Sequence, residues 1–194
     1  MSPSSGTNLQ DRRSRRAHDG PMDNTKQAIA ATGLLVAAMR AEESARDDAL
    51  FSDPFAERLA GEDGRRLLAE AAADTGQPSA PIVVRTKFLD EALLRAQADG
   101  VSQVVMLAAG MDARAFRLPW QRGTTVFEID QPHMIAAKDE RLAGERPRCQ
   151  RVAVGVDLAD DWPNLGTGGA AGCIRWFRRR ARGAARRSLR ALVR

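Results

Sequence analysis

Three positions in this chain have the types and spacing to grip a nucleoside: Gly110, Asp130 and Asp157, the last followed by Leu158. Each closes an apolar or β-branched run: Val104 to Ala109 before Gly110, Thr124 to Ile129 before Asp130, and Arg151 to Val156 before Asp157. A glycine past a strand lets the backbone approach a ligand with no Cβ in the way, although it could equally serve a tight turn. Asp130 lies twenty residues after Gly110. A carboxylate at that spacing can accept hydrogen bonds from both hydroxyls of a ribose; a solvated strand-end aspartate is the plainer alternative. Glu128 points the same way, because strand side chains repeat with period two, but Asp130 lies nearer the loop and is favoured. Asp157 could accept from an adenine amine while the next backbone N–H donates to the ring and Leu158 packs on it. Taken singly this is a weak signal, since aspartate often ends strands. Taken together, the three tips describe an adenosine pocket without phosphates. The run A-A-G-M-D is not the G-x-G-x-x-G that cradles a pyrophosphate.

These tips need a scaffold. The run Val104–Ala109 is continuously apolar, as in a strand buried on both faces, and Thr124–Asp130 is rich in β-branched residues. Pro132 to Leu142 predicts a helix and Arg151 to Leu158 a third strand. Strands alternating with helices over short links predict an α/β fold with a partial parallel sheet, half of a doubly wound Rossmann-like domain, whose ligands sit at the carboxyl ends of the strands. Upstream, Ile29, Leu34, Leu35, Ala38 and Met39 predict a helix over Lys26–Arg40. Ser52-Asp53-Pro54 signals a helix start, and Phe55, Leu59 and Leu67-Leu68 continue in short helices broken by Gly61 and Gly64. Pro81 opens a helix that Gly100 closes, with Ile82, Val83, Phe88, Leu89, Ala92, Leu93 and Ala96 mostly on one face. The expected organisation is a disordered leader over 1–21 (Met22 being an alternative start), a helical cap over 22–100, the nucleoside-binding half-domain over 101–163 and an Arg-rich tail over 164–194.

Composition narrows the function classes. Tyr is absent and 5% of residues are aromatic, so the core must rest on Ala, Leu and Val. Leu34 to Met39 is too short an apolar run to span a bilayer and follows too long a polar stretch for a secretory signal. Cys149 and Cys173 have neither disulfide-framework nor zinc spacing, which points to the cytoplasm. The only histidines, His18 and His133, support neither a metal set nor a Ser-His-Asp arrangement. A pI near 10.2 suggests a nucleic-acid partner. Yet Arg175 to Arg194 holds nine arginines and no acid, so the formal +5 of the chain becomes −4 over residues 1–174. The basicity belongs to the tail, and a nucleic-acid binder is the weaker reading.

The segments A-A-M-R-A-E-E-S-A-R-D-D-A-L-F-S-D-P-F-A (37–56), V-V-R-T-K-F-L-D (83–90), L-A-A-G-M-D-A-R-A-F-R-L-P-W (107–120), F-E-I-D-Q-P (127–132) and V-D-L-A-D-D-W-P (156–163) resemble an actinobacterial, largely mycobacterial, family of S-adenosyl-L-methionine-dependent methyltransferases that is similar to leucine carboxyl methyltransferases. The resemblance covers residues 23 to 163. It implies S-adenosyl-L-methionine as cofactor, held by Asp130, Asp157 and Leu158, with Gly110 beside the methionine part and Arg85 pairing with the methionine carboxylate. It also implies a small-molecule methyl acceptor, with no metal, and it names no catalytic residue. Ala113 stands where the family usually has Thr. After Trp162-Pro163 the family would continue into a fourth strand pairing with the other edge of the first. Here twenty of the 29 residues from Gly166 to Arg194 are Gly, Ala or Arg, the residues with the most GC-rich codons. The expectation is an out-of-frame tail on a truncated catalytic domain of doubtful activity. A non-catalytic adenosine-binding fragment is the alternative.

Overall fold

The computed structural model describes residues 24–75 and 79–158. The leader expected over 1–21, Trp162-Pro163 and the Arg-rich tail lie outside the described residues. Three helices precede a three-stranded sheet: α1 (Asn24–Ser44), α2 (Ala56–Thr75) and α3 (Ala80–Ala98), then β1 (Gln103–Leu107), the single turn α4 (Arg114–Arg117), β2 (Thr125–Asp130), α5 (Pro132–Arg141) and β3 (Gln150–Gly155). The sheet is parallel throughout in the order β1-β2-β3. This is the expected partial α/β, Rossmann-like arrangement. It brings all three strand tips to one end, because Leu107 is opposite Ile129 and Asp130 is opposite Gly155.

Two expectations about the helices are corrected. Gly61 does interrupt α2, with φ 61° and ψ −165°, but Gly64 does not. It is buried where α1 crosses α2, and a Cβ there would lie 2.7 Å from the Leu34 carbonyl oxygen. Glycine at 64 is there for a close helix–helix approach. On α3 the buried positions are Val83, Thr86, Asp90 and Gln97, whereas Phe88 is 61% exposed and Leu89 is exposed too. The apolar face read from the sequence is therefore displaced by polar residues whose partners come from elsewhere in the chain. Gly100 ends α3 as expected, at φ 90°, with the Val101 N–H donating back to the Ala96 carbonyl.

β1 is only half-buried rather than enclosed on both faces, and among the described residues it pairs on one edge, with β2. β2, the central strand, is buried from Val126 onward. The core joins Ala37 and Ala38 of α1 and Leu59 and Ala60 of α2 to Phe116, Leu118, Trp120, Val126 and Met134. Small side chains let the cap approach closely, while Phe116 and Trp120 fill the wider gaps. The Trp120 indole donates to the Arg114 carbonyl at 2.8 Å, so its polar edge is satisfied inside. Among the described residues no helix is long and apolar enough to cross a membrane.

Candidate functional site

The site is built from the loop after β1. Ala108 has φ 51° and Gly110 φ 47°, so two left-handed residues, one of them not glycine, flank Ala109 at a strand tip. For an alanine that conformation costs about 1 kcal/mol and persists only where the surroundings impose it. Asp130, at the tip of β2 and 6% exposed, supplies one constraint. Its Oδ2 accepts from the Gly110 N–H at 2.5 Å, and its Oδ1 accepts from the Gln131 N–H at 2.7 Å. The two residues paired by spacing in the sequence thus meet. Each carboxylate oxygen has taken one backbone donor, and an ionised carboxylate oxygen has a second lone pair besides.

The β3 tip adjoins the β2 tip. The Val156 N–H donates to the Asp130 carbonyl at 2.8 Å, which places Asp157, half-buried, and Leu158, exposed, immediately beyond. The start of α5 presses onto this tip: a Cβ on Gly155 would lie 3.0 Å from Pro132 Cα. Arg85 is exposed on α3, on a different face from Thr86 and Asp90. Glu128 is fully buried and committed elsewhere. Its Oε2 takes Lys138 Nζ at 3.0 Å and Arg151 Nε at 2.8 Å. His133 is half-buried near the start of α5, and its Nε2 has no partner among the described residues. Among the described residues no group of three or more His, Cys, Asp or Glu is placed to hold a metal ion.

Reading the sequence missed a second cluster, a buried chain of alternating charge. Arg40 of α1 donates through Nε to Asp53 Oδ2 at 2.9 Å and through Nη2 to the Met111 carbonyl at 2.6 Å. Arg117 lies 3.6 Å from the same Asp53 oxygen and pairs in two-pronged fashion with Asp90 of α3, both contacts at 2.7 Å. Arg114 donates to Asp90 Oδ1 at 2.6 Å and pairs with Asp112, whose Oδ1 also caps the Arg114 N–H at 2.8 Å. Three arginines thus meet three aspartates, and the planar guanidinium forks suit such shared geometry. Burial works against the Asp112 charge, but Arg114, Arg40 and Lys138 hold its carboxyl below the usual range. Ala113 is buried, so it is Asp112, not residue 113, that supplies the local cap. The signal was visible in the segments 37–56, 83–90 and 107–120, each carrying acids, arginines or both amid apolar residues. Nothing local says which of them pair.

The arrangement offers a carboxylate with spare lone pairs, a loop whose backbone is open at Gly110, and a second acid one strand away. These groups lie together at the carboxyl end of the parallel sheet. The family model described as leucine carboxyl methyltransferase matches residues 33–165. A Mycobacteroides abscessus protein named "Putative S-adenosyl-L-methionine-dependent methyltransferase" is 44% identical over 159 residues, covering 75% of this chain and 52% of its own length. Proteins from Streptomyces coelicolor and Frankia alni, also named "Putative S-adenosyl-L-methionine-dependent methyltransferase", are each 46% identical, and each match covers 69% of this chain and 50% of the relative. The chain spans about half the length of the curated relatives it matches.

Proposed function

The chain belongs to the leucine carboxyl methyltransferase family, and on that premise we propose that it binds S-adenosyl-L-methionine across its three strand tips, as the cofactor-holding part of an O- or carboxyl methyltransferase acting on a small molecule. The observation that carries this reading is the Asp130 carboxylate, buried at the β2 tip and hydrogen-bonded to the Gly110 N–H at 2.5 Å. In the reading, Asp130 holds the ribose hydroxyls, Asp157 and Leu158 meet the adenine, the backbone at Gly110 lets the methionine part pass, and Arg85 takes its carboxylate. The residues fit the group: Gly110 has left-handed φ and no atom closer than 3.9 Å to where a Cβ would stand.

When bound, the cofactor supplies a methyl group already activated by its sulfonium. The residues of this chain bind and orient it and exclude water from one side. A carboxylate acceptor needs no general base, whereas a hydroxyl acceptor does. The proposed location is the cytoplasm. A purely adenosine-binding role uses the same pocket, and acceptor turnover separates it from catalysis.

Calorimetric titration of the full chain with S-adenosyl-L-methionine tests the reading. Asp130→Ala is expected to weaken binding by about a hundredfold, the scale of removing a carboxylate that accepts two hydroxyls. Unchanged affinity in Asp130→Ala would falsify the site assignment. A folded parent chain that gives no heat would remove the cofactor.

A further inference from the structure

Resting on the cofactor reading above, we infer that Arg40, on the cap helix α1, is a positioning residue for the methionine end of the bound nucleoside. Arg40 is 4% exposed and reaches across 71 positions of sequence to the Met111 carbonyl, at 2.6 Å. Met111 follows Gly110, so this bond fixes the far side of the loop whose near side Asp130 holds through the Gly110 N–H. The left-handed Gly110 lies between these two ties, with the left-handed Ala108 two residues before it, a geometry that relaxes unless it is held. Arg40 also grips Asp53 at 2.9 Å, and from there the charges alternate through Arg117 to Asp90 on α3. That helix carries Arg85 five residues earlier. One chain of buried ion pairs thus spans from the Gly110 loop to the helix of Arg85, the two elements on which the amino-acid end of the cofactor depends.

The adenosine end depends on Asp130, Asp157 and Leu158, which sit on β2 and just past β3. Among the described residues, none of these ion pairs includes a residue of β2 or β3: the members lie on α1, the link before α2, α3 and the stretch after β1. The consequence is an asymmetry that general loosening of the fold would not produce. Loss of the Arg40 bridge should weaken ligands that possess the amino-acid end and spare those that lack it.

S-adenosylhomocysteine and 5′-methylthioadenosine are suitable probes, since they share the nucleoside and differ in that end. Affinities of both are measured by calorimetry on the full chain for the parent, Arg40→Gln and Arg40→Lys. Arg40→Gln is expected to weaken S-adenosylhomocysteine by about tenfold, the scale of a lost charge-assisted hydrogen bond, and methylthioadenosine by less than about twofold. Arg40→Lys keeps the charge but can serve only one of its two partners well, so its selectivity should fall between the other two. Equal loss for both ligands, or no loss for either, overturns the inference. Should Arg40→Gln fail to fold by circular dichroism, Arg40→Lys decides by the same ratio. A parent chain that binds neither ligand refutes the cofactor reading and this inference with it. A parent that binds both, with variants of unchanged ratio, refutes this inference alone.

Discussion

Glu128 and Lys138 are both completely buried, and their removal should have unequal consequences. Glu128 Oε2 serves two cations, Lys138 at 3.0 Å and Arg151 at 2.8 Å, while Arg151 also reaches Asp139 at 2.7 Å. Lys138→Met removes one cation and fills its channel with an apolar stem, leaving Glu128 paired to Arg151. Replacing part of a buried ionic group by an apolar one of similar shape is often nearly neutral, so the cost should be about 1 kcal/mol or less. Glu128→Gln leaves the fully buried Lys138 ammonium with no carboxylate in direct contact, only the more distant charge of Asp112, and leaves Arg151 with Asp139 alone. Breaking a buried pair in this way costs about 3–5 kcal/mol. For a domain of this size each kcal/mol moves Tm by about 2–4 °C, so Glu128→Gln should melt about 6–20 °C lower than the parent and Lys138→Met within about 4 °C of it. Differential scanning calorimetry on the three proteins measures the gap. If Lys138→Met melts as low as Glu128→Gln, the carboxylate is not the hub of the cluster and the reasoning fails.

Two further outcomes follow from packing and burial. Gly64→Ala places a Cβ 2.7 Å from the Leu34 carbonyl oxygen and 2.9 Å from Ala60 Cβ, so α1 and α2 must separate. A loss of about 1–3 kcal/mol is expected in urea unfolding, and an unchanged midpoint would show that the helices part freely. Burial, with the Glu128 charge adding to it, pushes the Cys149 thiol up to about 11. The thiolate is the reactive form, so at pH 8 iodoacetamide should label Cys149 in the native protein far more slowly than after unfolding; peptide mapping distinguishes it from Cys173, and equal rates would contradict the burial.

The strands, the parallel sheet and the placing of Gly110 and Asp130 at neighbouring strand tips were legible because they depend on local runs and on a spacing set by the crossover. The face of α3 was not. Apolar periodicity selected Phe88 and Leu89, which are exposed, and passed over Thr86 and Asp90, which are buried. Asp90 is drawn inward by Arg114, which donates to its Oδ1 from 24 positions away and also to the backbone carbonyl of Thr86 from 28. A helix read alone carries no trace of such partners. Gly64 misled for a related reason, since a glycine needed for closeness and a glycine that ends a helix look alike until the neighbouring helix is present. Glu128 shows the limit of strand periodicity, which gives the direction of a side chain but not what waits there.

The composition explains why so much of this fold is stitched by charge. With no tyrosine and few other aromatics, the cap and the sheet meet through alanines and leucines, which pack closely but distinguish poorly between one sliding register and the next. Buried ion pairs supply that discrimination, because a shift of one helical turn would leave a guanidinium in the core without its carboxylate. Their placement follows the same logic. The Glu128 cluster ties β2 to α5 and β3, whereas the chain from Arg40 to Asp90 ties α1 and α3 to the loop after β1. Each cluster secures a different side of the strand tips, with the Asp130–Gly110 contact between them, and they share no direct ion pair although the Lys138 charge reaches Asp112. Mutations at Glu128 and at Arg40 share no ion-pair partner and should therefore act additively on stability, as expected for separate sites, whereas Arg40 and Asp53 substitutions should not. A double-mutant cycle on melting free energies that found strong coupling between Glu128 and Arg40 would show that the clusters form one network and that this division is wrong.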